Sequence, residues 1–505
     1  MSETLTTQII RGGAFTFGAT IISRLLGIAG MIFLVRTLTP EDFGLFAMAF
    51  AGISSFELLS GLGTGHAIVQ SRSDPKDLGI AGLSISSVVG LLMFALLVQF
   101  ADRFAAFFGT EQVATIVVYL APLVLARSAI VVPAAFQQKT MWFGKRAIGT
   151  VMGELLNTVV SVAAAASGLG FWSLVYGSLA RAFTLVLFSW ALSNPKAWFR
   201  LKLPQWSTVK SLLSFGSQST VFGLLTFVTH MWHNLLLGRV LGATAVGYYS
   251  RAFAFSTMAL QRGVQPLAGT LFPAYSKLQN DPERLKDGYL RSTQVLSLIT
   301  LPVLLGLWAV SEEFVYVVLG SAWAPIIPSL QVLSIMNVFM FFPMAASPLY
   351  FATGFPRYNV GVAAIEAIST VVFTLVAVPY GILWVAYASA LARALGAAYS
   401  LKAVNMLLPG VLAGLFRAVR PPFIGCAVMM VGVWAARPTM QAFFSNPHSW
   451  AVLVSLIVIG AGLYVGTVVL VDRSVIRVAL DLWRHSISRR KPQLAVAVSG
   501  QPRNL

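Results

Sequence analysis

Residues 143–182, FGKRAIGTVMGELLNTVVSVAAAASGLGFWSLVYGSLARA, recur at 355–394 as FPRYNVGVAAIEAISTVVFTLVAVPYGILWVAYASALARA, an offset of 212 without gaps. Phe143, Gly149, Glu154, Thr158, Val159, Val160 and Trp172 reappear as Phe355, Gly361, Glu366, Thr370, Val371, Val372 and Trp384. Both copies end on Leu-Ala-Arg-Ala, at 179–182 and 391–394. A second match, at an offset of 203, aligns LVRTLTPEDFGLFAMAF (34–50) with LGRVLGATAVGYYSRAF (237–253). There Leu34, Arg36, Leu38, Gly44, Ala49 and Phe50 return as Leu237, Arg239, Leu241, Gly247, Ala252 and Phe253.

The longer repeated piece covers most of two apolar runs of membrane-spanning length, and the shorter joins the end of one such run to the start of the next. Fourteen such runs are expected between residues 13 and 471. The first is 13–35, the seventh 211–238, the eighth 243–272 and the tenth 323–351. The repeat therefore maps spans 1–2 onto 7–8 and spans 5–6 onto 11–12. A displacement of six spans, an even number, keeps both copies in the same direction through a membrane. That is a parallel repeat about a pseudo-two-fold axis along the membrane normal, a design in which transporters bind substrate between their halves. The expected fold is an all-α polytopic membrane protein of about fourteen transmembrane helices. Two six-helix lobes, 1–203 and 204–410, are followed by two appended spans in 411–472 and a basic tail, 473–505.

Composition agrees. Of 505 residues, 57% are hydrophobic and only 10% charged, against about 25% charged in soluble domains; the mean hydropathy is +0.79. A soluble enzyme, a disordered chain and a disulfide scaffold are excluded, and the single cysteine, Cys426, cannot form an internal disulfide. The first run carries Arg24 and lacks a small-residue cleavage site, so it reads as a first span rather than a removable signal. The net charge of +18 is explained by topology. With the N-terminus cytoplasmic, one set of loops and the tail hold 25 Lys and Arg, and the alternate loops hold four: Arg36, Arg103, Arg239 and Arg437. This is the positive-inside pattern with both termini cytoplasmic, and anionic lipid rather than nucleic acid is the expected basic-face partner. The linker 194–210, with Trp198, Phe199 and Trp206 among basic residues, and the segment 476–491 are expected to lie on the cytoplasmic leaflet.

Six basic residues fall inside spans: Arg24, Arg127, Arg181, Arg251, Arg262 and Arg393. Glu57, Glu154, Glu366, His230 and His233 accompany them. A charge in a span costs about 3 kcal/mol or more and marks a functional position by default. Surplus arginine suits an anionic substrate, because guanidinium matches phosphate oxygens bidentately. At about 1.5 Å per residue, the arginines other than Arg251 and the three glutamates form a belt roughly 10–18 Å from the basic-loop ends of their spans. Arg251 counts out nearer the opposite surface, where it would snorkel. Glu154 with Arg181 and Glu366 with Arg393 read as an ion pair recurring in both lobes, or as substrate-site groups. Arg24 either pairs with Glu57 or meets substrate. Arg127 and Arg262 are left without acidic partners and become candidate phosphate ligands. His230 and His233 pack or relay protons. Two histidines three residues apart make no metal site, no nucleotide-binding loop occurs, and no cofactor is expected. Prolines 266, 325, 328, 343 and 348 are expected to bend spans 8 and 10.

From Ser23, the run SRLLGIAGMIFLVRTLTPEDFGLFAMA resembles the opening of the Wzx/WzxC-like lipopolysaccharide and exopolysaccharide flippases. These belong to the multidrug/oligosaccharidyl-lipid/polysaccharide exporter superfamily. GLGTGHAIVQ (61–70), GLGFWSLV (168–175), VGYYSRAF (246–253) and LFPAYSKLQND (271–281) extend the likeness. The resemblance implies a V-shaped, MATE-like pair of bundles around a cationic cavity, in the bacterial inner membrane. Its implied substrate is an undecaprenyl-diphosphate-linked oligosaccharide, with polysaccharide assembly machinery as a further partner. It implies a cavity-facing Arg24; together with the charges read above, the substrate candidates are Arg24, Arg127, Arg262, Arg181, Arg393 and Glu57. Related flippases bind a coupling cation among spans 7, 11 and 12, where this chain offers His230, Asn234 and Glu366. A multidrug exporter would share the architecture but should have an acidic interior. A membrane glycosyltransferase or polymerase would need a larger extramembrane loop than this chain has.

Overall fold

The computed structural model describes residues 23, 26–71, 73–140, 142–200, 202–259, 271–444 and 446–472, and every regular element among them is helical. Eleven helices among the described residues are long and apolar enough to cross a membrane. They coincide with expected spans 2–6 and 9–14. Span 1 is represented by a shorter helix, α1 (Leu26–Thr37).

The first lobe continues with α2 (Pro40–Ser60), α3 (Thr64–Gln70), α4 (Pro75–Gln99), α5 (Ala101–Phe108), α6 (Glu111–Leu120) and α7 (Pro122–Lys139). It ends with the hairpin α8 (Phe143–Ala166) and α9 (Trp172–Leu192). The 54-residue α10 (Trp206–Ala259) covers expected span 7 and the described part of span 8, its arms joined at Gly242 (φ 82°, ψ −178°). The second lobe completes with α11 (Leu271–Leu278), α12 (Pro282–Ala309), α13 (Ile327–Asn337), α14 (Phe341–Ala352), α15 (Arg357–Ala377) and α16 (Ile382–Leu407). Helices α17 (Val411–Phe443) and α18 (Trp450–Val471) pack on each other and, through α17 above all, on α12.

The two copies of the first repeat turn the same corner by different chemistry. In copy one, Thr39 caps α2: its hydroxyl accepts from Asp42 N at 3.2 Å, and Asp42 Oδ2 accepts from Thr39 N at 2.9 Å. Pro40 follows at the first helical position, where its missing N–H costs nothing. In copy two the equivalent of Thr39 is Gly242, whose positive φ makes the break directly. The corners then interlock reciprocally. A Cβ on Gly44 would stand 1.8 Å from Ala243 O, and one on its counterpart Gly247 would stand 1.8 Å from Pro40 O. Pro40 and Ala243 are themselves repeat equivalents, so the lobes meet across a pseudo-two-fold axis, backbone against backbone.

Span 10 is bent as its prolines suggest: a 3-10 turn (Ser321–Ile326) leads into α13, and a second (Val338–Met340) separates α13 from α14. Between α12 and that first turn, a π turn (Val315–Leu319) breaks the regular hydrogen-bond ladder. The interfacial reading of the linker fails at Trp198. Phe199, Leu203 and Trp206 are exposed, but Trp198 is 1% exposed. Its ring stacks on Phe136 at 5.2 Å and its Nε1 donates to Ser193 O at 3.1 Å. A large ring with a satisfied N–H gains more from core burial than from the headgroup layer. Trp198→Ala is therefore expected to cost about 3–5 kcal/mol of stability, read as a lowered Tm in detergent. The same change at Trp206, 73% exposed, should leave Tm within a degree or two. Residues 476–491, Arg24, Arg262 and Pro266 lie outside the described residues.

Candidate functional site

A cavity of about 400 Å³ lies on the seam between the lobes. Phe46 and Phe50 of α2 form one side; His230, His233 and Asn234 of the first α10 arm and Arg251 of the second form the other. Three polar atoms in this wall are buried without a hydrogen-bond partner: Arg251 Nε, His233 Nδ1 and Asn234 Oδ1. Each such group costs about 1–3 kcal/mol, and native folds keep few of them without a functional reason. Aromatic contacts hold two of them in place. The Arg251 guanidinium stands 4.7 Å from the Phe43 ring centroid. His233 is 2% exposed, between Tyr249 at 4.8 Å and Phe253 at 4.7 Å.

Arg251 faces the seam. Counting residues from a span end ignores lateral position, and the second α10 arm packs along α2, which sets the half-buried Arg251 side chain against Phe43 of the other lobe. The repeat held the signal: the counterpart of Arg251 is Met48, which is fully buried. An arginine in one copy opposite a core methionine in the other marks a departure from symmetry.

A second cavity, about 210 Å³, lies further along the same seam. Glu57 of α2, Arg127 and Gln138 of α7, Arg146 of α8 and Thr220 of α10 are among its lining residues. Seven residues separate Phe50 from Glu57, so the two cavities are offset by about 10 Å along α2. Arg127, expected to lack an acidic partner, shares this cavity with Glu57, and both Arg127 and Arg181 lie within electrostatic reach of that carboxylate. Arg181 Nε is also 3.7 Å from Glu154 Oε2, with the arginine side chain 49% exposed. The first lobe thus carries a chain of alternating charge: Glu154, Arg181, Glu57, Arg127.

Its repeat counterpart is built differently. Arg393 is buried and donates to Asn337 Oδ1 and, at 3.0 Å, to the Met340 sulfur. Its guanidinium stands 5.0 Å from the Phe253 ring centroid. Glu366 interacts with it electrostatically, but no ion pair within 4.0 Å joins them among the described residues. The acceptor Asn337 and the ring of Phe253 draw the guanidinium away. Arg393 thus stands between Glu366 on one side and the histidines of the first cavity on the other. His230 and Asn234 line that cavity; Glu366 does not. Among the described residues no three His, Cys, Asp or Glu side chains come together.

The chain is 26% identical over 475 residues to the succinoglycan biosynthesis transport protein ExoT of Rhizobium meliloti, covering 92% of each chain. It is 27% identical over 350 residues to the lipopolysaccharide biosynthesis protein WzxC of Escherichia coli, covering 66% of this chain and 67% of that one. In fold it is similar to the lipid II flippase MurJ in an inward closed conformation (TM-score 0.73, 14% identity, 91% of this chain and 99% of that one). It also matches an inward-facing multidrug resistance MATE family transporter (TM-score 0.62, 16% identity, 78% and 98%). The family model described as polysaccharide biosynthesis protein matches residues 33–328, more than half of the sequence, and the chain belongs to that family.

Proposed function

We propose that this multi-pass membrane protein is a flippase. It moves an undecaprenyl-diphosphate-linked oligosaccharide repeat unit from the cytoplasmic to the periplasmic leaflet of the bacterial inner membrane. One observation carries the reading: a half-buried arginine whose Nε is buried and unpartnered, Arg251, lines a cavity between two lobes related by a parallel repeat. A guanidinium held by aromatic rings is a ready partner for a diphosphate, which offers oxygens in the spacing its fork requires. The relatives named for succinoglycan, lipopolysaccharide and low-salt glycan biosynthesis support the substrate class. Arg127, Arg181 and Glu57 line the route toward the basic end; Arg24, Arg262 and Arg393 belong to the same proposal. The lobes 1–203 and 204–410 rock about the seam, with 411–472 as an appended pair and 473–505 as a tail. The basic-residue asymmetry supports cytoplasmic termini, and transport needs no covalent chemistry from the protein.

Leaflet distribution of the lipid-linked oligosaccharide in cells lacking the protein tests this. Accumulation on the cytoplasmic leaflet, relieved by the wild-type copy, is the expected result. Normal distribution with altered drug sensitivity would make the protein an exporter instead. Within the same reading Glu366 carries the coupling proton, with His230 and Asn234 as neighbours across Arg393. Glu366→Gln is expected to flatten the pH dependence of flux; full flux with unchanged pH dependence would remove Glu366 from the cycle.

A further inference from the structure

The end of the seam away from the basic loops is fastened by contacts that repeat across the pseudo-two-fold axis. Arg36, at the end of α1, reaches into the second lobe, where its Nε donates to Val318 O at 3.0 Å and its Nη2 to Val317 O. Arg239, its repeat counterpart, reaches into the first lobe, where its Nη1 donates to Phe107 O at 2.8 Å. The acceptors occupy matching places. Phe107 is in the last turn of α5, just after span 3, and Val317 and Val318 lie in the π turn just after span 9. Each lobe thus pins the broken helix end that follows the third span of the other. The glycine contacts of Gly44 with Ala243 and Gly247 with Pro40 involve the residues four and eight positions after each arginine.

A third fastening joins this end to the cavity. Trp323 Nε1 of the second lobe donates to Val35 O, beside Arg36, at 2.8 Å. The Trp323 ring meets Phe43 edge-on at 5.5 Å, and the same Phe43 ring carries the Arg251 guanidinium. Arg251 therefore touches the cavity and the fastening at once.

We propose that Arg36 and Arg239 are the paired bolts of an outer gate, and that Phe43 links this gate to Arg251 so that a diphosphate bound in the cavity loosens it. A guanidinium that turns to pair with phosphate oxygens gives up its ring contact. Phe43 then loses the partner that holds it against Trp323. A ligand shifts such an equilibrium by its differential affinity for the two states, and here that difference is the contact Arg251 must exchange. The diphosphate half rests on the flippase reading; the bolts do not.

The test uses the full chain with its single cysteine removed (Cys426→Ala) and a reporter introduced at the cavity wall (Ala254→Cys). A membrane-impermeant maleimide is applied from the periplasmic side. Arg36→Ala and Arg239→Ala are each expected to raise the labelling rate several-fold, and the double variant further. Arg103→Ala, whose guanidinium lies over Phe100 at the same end of the molecule, should leave the rate unchanged, and Arg239→Lys should restore most of the block. An unchanged rate in a monodisperse double variant overturns the gate, and so does an equal rise in Arg103→Ala. Geranylgeranyl diphosphate is then expected to raise labelling in the reporter background and not in Phe43→Leu. Faster labelling in the bolt variants with no diphosphate response anywhere would leave the gate standing and overturn its link to a diphosphate substrate. An equal diphosphate response in Phe43→Leu would overturn the role of that ring.

Discussion

Arg251→Ala is expected to reduce flux of the lipid-linked oligosaccharide by about ten- to a hundredfold while the protein still reaches the membrane. The estimate follows from losing a charge-assisted contact of about 1.5–3 kcal/mol, at roughly tenfold per 1.4 kcal/mol. Folding should survive, because Arg251 Nε makes no hydrogen bond and the equivalent position of the first lobe is filled by Met48. Arg251→Met, which copies that arrangement, is the cleaner variant and should lose flux equally. Arg251→Lys should recover only part of it, since an ammonium is a point charge and cannot grip two oxygens in a plane. The measurement is the fraction of substrate on the cytoplasmic leaflet beside the protein's abundance in the membrane. Full flux in Arg251→Met would show that the cavity holds its substrate by other groups.

A loss of stability as large as that of Trp198→Ala is expected at a buried ion pair. Glu313, just after α12, is fully buried, and its Oε2 accepts from Arg437 Nη2 of α17 at 3.1 Å. Arg437 Nε lies 2.8 Å from Oε1, off the line of a hydrogen bond, and Nη2 also donates to Ala309 O at 2.6 Å. Arg437→Ala would strand a carboxylate in the interior, at a cost of about 3–5 kcal/mol. A double change to Arg437→Met and Glu313→Leu should recover most of that, because a well-packed apolar pair avoids the desolvation of two ions. Thermal unfolding in detergent separates the two variants by many degrees. Glu312, 3.9 Å from Arg437 and nearly half exposed, should matter little.

Helix positions were legible because an apolar run of spanning length has few other uses, and the two-lobe plan because the repeats align without gaps. Pairing was less legible. Arg437 and Glu313 sit near span ends, where a charge reads as a loop residue; only the packing of α17 against α12 brings them together. Glu57 shares a cavity with Arg127, two spans further on, which the order of residues along the chain did not suggest. Arg393 repeats Arg181 in sequence and not in contacts, because Asn337 and Phe253 compete for it. Arg251 was misjudged for a geometric reason: rise per residue measures depth and says nothing of which side of a helix meets the other lobe. A comparison of the two copies position by position, asking where a charge replaces a core residue, would have found it.

The reciprocal contact of Gly44 with Ala243 and Gly247 with Pro40 is the geometry expected of two identical subunits meeting face to face, where residue i touches j and j touches i. Fused into one chain, the two patches become free to diverge, yet here each remains the mould for the other. A larger side chain on either corner meets a carbonyl that cannot retreat without unseating its own glycine. Drift at the seam must therefore come in matched steps, while charges away from it, such as Arg393, can take new partners singly. An ancestral homodimer would leave this signature, and the first and second lobes, expressed as separate chains, should reassociate through these corners before any other surface.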